Sequence, residues 1–117
     1  MANEITLTLQ TLLNNGGISD NHASGSFSVN QALAKMVRNV QTIGTVEEAL
    51  QLGDVTTPGY CVFKNIDDTN FVEIGISGNM FLKLKPGEQC LCRLTTTAPY
   101  AKADTADVEL FYIMYQD

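Results

Sequence analysis

The chain has 117 residues, 44% hydrophobic and 17% charged, with a formal net charge of −6. That length suits one domain spanning 1–117, and the apolar content is enough for a packed core, which excludes wholesale disorder. The seven Lys and Arg are scattered among thirteen Asp and Glu, which excludes the clustered basic surface that nucleic acid or an anionic membrane requires.

At the start, Met1-Ala2-Asn3-Glu4 has no basic stretch followed by an apolar run. No segment approaches the ~18 apolar residues of a membrane span. The expectation is a chain that starts life in a cytoplasm. Ile5-Thr6-Leu7-Thr8-Leu9-Gln10 then alternates apolar and polar residues, which predicts a strand with Ile5, Leu7 and Leu9 on one face. The stretch 14–26, NNGGISDNHASGS, is rich in turn formers and reads as a flexible surface loop within the domain. Phe27 and Val29 alternate with polar residues in a short second strand.

Residues 31–41 are ambiguous. Leu33, Met36, Val37 and Val40 fit a helical stripe that Asn30 would cap. The segment has no charged opposite face, and Gly44-Thr45 precedes a second run from Val46 to Leu52. The preferred reading is therefore a strand after one helical turn, with Gly44 supplying a hairpin turn.

From Gly53 onward the strand signal is stronger. Tyr60 to Ile66, Phe71 to Ile76, Met80 to Lys85, Gln89 to Thr95 and Val108 to Tyr115 are rich in β-formers. Between them stand Pro58-Gly59, Asp67-Asp68-Thr69-Asn70, Ser77-Gly78-Asn79 and Pro86-Gly87, the last fitting the centre of a type II turn. A loop is expected around Pro99 and Asp104. Eight or nine short strands, with turns every ~8–12 residues, predict an all-β, single-domain antiparallel β-sandwich.

Candidate chemical sites are sparse. His22, the only histidine, lies in the expected loop and reads as exposed rather than as a base or a metal ligand. Cys90 and Cys92 would share a strand face, yet structural zinc usually takes four ligands and the chain offers three thiols with one distant histidine. Inward packing beside Leu94 is the expectation, with Cys61 a third reduced thiol. Asp67, Asp68, Asn70 and Glu73 lack the spacing of a calcium loop and read as a solvated turn. Gly16-Gly17 lacks the Lys-Ser/Thr that completes a phosphate loop. Asp104 and Asp107 are the carboxylates a glycosidase would need, and they fall in an expected turn. Most aromatics (Phe63, Phe71, Phe81, Phe111, Tyr112 and Tyr115) fall in expected strands and read as core. Tyr60 and Tyr100 lie near turns and are candidates for exposed contacts. The reading is of a non-enzyme without cofactor or metal.

The runs LGDVTTPGY, FKNIDDTNFVEIG, FLKLKPGE and AKADTADVELFY, between Leu52 and Tyr112, resemble small structural proteins encoded by tailed bacteriophages. The resemblance covers a little over half the chain, and the region before Leu52 matches loosely. It implies a jelly-roll or β-sandwich virion component of the decoration or cement kind. Such a protein would be made in the host bacterial cytoplasm and placed on the capsid exterior. Its partners would be the major capsid protein and itself, as a homotrimer or homodimer. Related sandwiches serve in tails, fibres and baseplates, where host glycans are a further contact. The N-terminal strand and the stretch to Ser26 are the expected reach toward a neighbour.

Overall fold

The computed structural model describes residues 3–117, apart from the side chain of Ser24. The chain forms two compact units, Met1–Ala32 and Leu33–Asp117.

The first unit is an antiparallel ribbon of β1 (Ile5–Asn15) and β2 (Ile18–Val29). Asn15 pairs with Ile18, so Gly16-Gly17 is a two-residue hairpin loop. Gly16 alone of the pair has positive φ, at 58°, as a type II′ turn requires. The flexible loop expected over 14–26 is therefore a tight turn followed by most of a strand. Its Ser, Asn, Asp and Gly are weak β-formers, but the ladder to β1 satisfies their backbone groups.

Register depends on one irregularity. Thr8 pairs with Ser26 and Gln10 with Ala23, so two residues of β2 stand opposite Leu9. Gly25 takes φ 66° at this bulge. Side chains on a strand alternate faces, so one extra residue exchanges the two faces beyond it. Because of the bulge, Phe27 and Val29 lie on the same side as Leu7 and Ile5, their partners. The ribbon thus has one face bearing Ile5, Leu7, Leu9, Leu13, Ile18, Phe27 and Val29. Thr and Ser dominate the other.

The second unit is an antiparallel β-sandwich of two four-stranded sheets. Its strands are β3 (Met36–Ile43), β4 (Glu48–Ala49), β5 (Pro58–Asn65), β6 (Val72–Ile76), β7 (Asn79–Leu84), β8 (Gln89–Arg93), β9 (Tyr100–Ala103) and β10 (Val108–Gln116). The sheets run β3-β10-β5-β8 and β4-β9-β6-β7. First strand beside last in one sheet, and second beside second-last in the other, is the interleaving of an eight-stranded jelly roll.

Turns between consecutive strands mostly carry the chain from one sheet to the other. Gly44 is therefore not a hairpin turn, because β3 pairs with β10 while β4 pairs with β9. At Pro86-Gly87 the expected turn forms, with the Glu88 amide donating to the Lys85 carbonyl at 3.0 Å. It links β7 to β8 across the sandwich. Residues 36–43 are a strand, as preferred. In place of the expected helical turn before it stands a tight bend, where the Lys35 amide reaches the Leu33 carbonyl at 2.8 Å. The expected loop around Pro99 contains β9, a strand the pattern missed.

The core lies between the sheets. Val108, Leu110, Tyr112 and Met114 of β10 alternate inward and are fully buried. Phe63 and Cys61 come from β5, Ile43 from β3, and Val72, Ile74, Ala101 and Ala103 from the facing sheet. Phe63, Tyr112, Ile43, Ile74 and Leu110 are the largest filled volumes, each contributing on the order of 1.5–3 kcal/mol by burial.

Polar groups in this interior are all paired. Tyr112 Oη donates its proton to a site flanked by the Gln51 carbonyl at 2.7 Å and Gln41 Oε1 at 2.9 Å. Gln41 Nε2 in turn donates to Glu48 Oε1 and the Ala49 carbonyl, both at 3.1 Å. Asn65 Nδ2 donates to the carbonyls of Asn70 (2.9 Å) and Leu84 (3.0 Å), clamping the two sheets together. No buried side-chain nitrogen or oxygen among the described residues lacks a partner.

At Gly75 a second bulge brings β7 against β6: Ile74 pairs with Leu82 and Gly75 with Met80. A Cβ there would strike the Asn79 carbonyl and lie 2.8 Å from Met80 Cα. Both are backbone atoms and cannot swing aside. Gly75→Ala is expected to destabilise the chain by about 2–3 kcal/mol, read as a lower urea midpoint at unchanged slope. A change under ~0.5 kcal/mol would contradict this packing.

Candidate docking surface

The ribbon has no second layer of its own, and its apolar face is unevenly covered: Ile5 and Leu7 are buried, while the residues nearer the hairpin tip are not. Leu13 on that face is 48% exposed and Ile18 62%. Leu12, on the opposite face, is 71% exposed. Leu9 and Phe27 are exposed as well. The hairpin tip therefore carries apolar side chains on both faces. Charge is thin on this unit: Glu4 and Asp20 are its only carboxylates, and all seven basic residues lie beyond it.

The sandwich carries a second apolar feature. A groove of about 260 Å³ opens where edge strands β7 and β8 lie, lined by Ile76, Phe81, Leu82, Cys92 and Leu94 together with Arg93, Thr95 and Thr96. Phe81 is 59% exposed and Ile76 39% exposed. Phe81 is thus not the core residue that its strand position suggested. Side chains on β7 alternate, and Leu84 and Leu82 are the ones that pack on or against the core.

The three cysteines share the inner face of one sheet. Cys61 pairs directly with Cys92, and Cys90 stands opposite Phe63. Cys90, Cys92 and Leu94 pack against the core, as the two-residue spacing implied. All three are free thiols. Burial, with the neighbouring thiols adding to it, pushes Cys61 up to about 12; burial and then Cys90 push Cys92 to about 12. Both stay protonated near neutrality, which suits packing and not nucleophilic attack. Among the described residues no group of three or more His, Cys, Asp or Glu side chains converges on a metal position.

The remaining candidates are dispersed. His22 is exposed on β2 rather than in a loop, opposite Thr11. Asp67 caps its own turn, accepting from the amides of Asn70 at 2.7 Å and Thr69 at 3.0 Å, which hold its carboxyl below the usual range. Those bonds are internal to the turn, while Glu73 sits on β6. Asp104 and Asp107 flank the turn from β9 to β10. Asp107 is exposed, and the Asp104 amide donates to the Phe71 carbonyl at 3.1 Å. Tyr60 and Tyr100 are half-buried strand residues, not exposed turn contacts, and the Arg93 guanidinium stacks 4.7 Å from the Tyr60 ring. Arg93 also bonds Asp117 at 2.6 Å.

No protein-family model, no curated protein and no solved structure matches the chain.

The buried thiols set a pH window. A thiol whose folded pKa is raised ionises first in the unfolded chain, so its contribution is full below about pH 9 and is lost as pH rises toward 12. Tyr112, also raised by burial, acts in the same direction. Chemical denaturation is expected to show stability falling between about pH 9 and 12, with a shallower fall in Cys61→Ala. A flat profile over that range would contradict the burial of Cys61.

Proposed function

We propose that the chain is a tailed-bacteriophage virion protein, most specifically a decoration or cement protein. It sits on the capsid exterior, binds the major capsid protein and stabilises contacts between capsid subunits. It works by adding buried interface and performs no catalysis. The observation that carries this reading is the ribbon, which is two strands wide and apolar at its tip on both faces. A two-stranded hairpin is marginal in water unless its face packs on something further. A chain built this way gains stability by joining an assembly.

Three features support it. Jelly-roll sandwiches build viral capsid domains, among other proteins, which is support by fold analogy. The runs from Leu52 to Tyr112 resemble small phage structural proteins. The buried polar side chains of the sandwich are paired within the fold, and Cys61 and Cys92 are held neutral.

The test uses heads of a phage encoding this chain, prepared without it. The expected result is saturable binding at regular surface sites and a rise of several degrees in the temperature at which heads open. A particle map placing the protein in the tail would replace this reading with that of a tail, fibre or baseplate module. Failure to bind any particle would end it.

A further inference from the structure

We propose that the tip of the β1–β2 ribbon of one copy docks into the apolar groove between β7 and β8 of a second copy, making the protein a closed homo-oligomer. The inference deepens the assembly reading above by naming the ribbon's first partner, and it does not require a capsid.

Shape is the first argument. The groove has two walls: Ile76, Phe81 and Leu82 come from the sheet containing β7, and Cys92 and Leu94 come from β8 and the residue after it. A segment filling it needs apolar side chains on both of its faces. The tip has them, with Leu12 on one face and Leu13 and Ile18 on the other. Deleting one large apolar side chain leaves a cavity of about 150 Å³. On that scale 260 Å³ takes roughly two such groups, and it falls just under the ~300–1,000 Å³ of ligand pockets.

Backbone chemistry is the second. β7 and β8 are the edges of their sheets, so each has a row of amide and carbonyl groups facing outward. An extended ribbon can pair with either row while its side chains enter the groove.

Area is the third. A large apolar side chain buries on the order of 150 Å². Weighted by exposure, Leu12, Leu13 and Ile18 at the tip and Ile76 and Phe81 at the groove offer about 400 Å² per copy. A stable interface buries ~800 Å² per partner, and roughly 60% of it is apolar. Covering tip and groove on every copy supplies most of that share. Because the two surfaces differ, each copy gives a ribbon and receives one, and a dimer or small ring is the closed form that satisfies every copy.

The test measures mass by light scattering at 1–100 µM for the full chain, Ile18→Asp and Phe81→Asp, with circular dichroism to verify folding. Both altered side chains are exposed, so the fold is expected to survive. The full chain should be oligomeric, and each variant should self-associate at least ~30-fold more weakly. Mixing the variants should restore a mixed complex, because one retains its groove and the other its ribbon. A full chain monomeric at 100 µM would overturn the proposal. So would variants as oligomeric as the full chain, or a mixture no larger than its components. An oligomer that ignores phage heads would leave this contact standing and remove the decoration reading; a monomer that binds heads would do the reverse.

Discussion

A sheet two strands wide has faces but no interior. Every apolar side chain it carries must be covered by something packed against it, or it remains in water at a cost of about 25 cal/mol per Å². That constraint separates the two halves of this chain. Leu33–Asp117 folds eight strands into two layers and fills the space between them. The first unit makes one long ribbon, gathers most of its apolar residues on one face through the bulge at Gly25, buries Ile5 and Leu7, and leaves Leu12, Leu13 and Ile18 exposed. The sandwich buries its own apolar faces; the ribbon leaves the apolar side chains of its tip exposed.

The sandwich supplies what such a contact needs from its other side. Its central strand, β10, is held by β3 and β5, and Tyr112 ties it through Gln41 and Gln51 to the chain crossing between sheets. Asn65 fixes one sheet to the end of β7 and to the loop before β6 in the other. The two edges that meet at the groove are therefore presented by a rigid frame, and a rigid docking site loses little entropy when it is filled. The same packing turns the three cysteines inward and holds Cys61 and Cys92 neutral, so the frame consumes residues that elsewhere do chemistry.

Much of the sandwich is readable in the sequence. From Tyr60 onward most strands coincide with runs of β-formers, and the turns at Asp67–Asn70 and Pro86-Gly87 form where their side chains dictate. Sheet membership is not readable, because a turn residue shows that the chain reverses and not whether it returns to its own sheet or crosses over. Gly44 and Pro86-Gly87 both precede crossings. Strand β9 escapes detection since Ala101 and Ala103 are weak β-formers, chosen for the tight space beside β6. Strand β2 is hidden by its polar composition, and the one clue to its register is the change in parity between Ile18 and Phe27, which Gly25 resolves. The groove leaves no local trace: Ile76, Phe81 and Leu94 belong to separate segments that only the fold brings together.

Amide hydrogen exchange measures most directly whether the ribbon depends on a neighbour. In the isolated chain at high dilution, amides of β1 and β2 from Leu9 to Ala23 should exchange many-fold faster than those of β5 and β10, and they should slow sharply once assembled copies or capsids are present. Protection of that segment equal to β10 in the dilute monomer would mean that the ribbon is stable alone, and the account would fail.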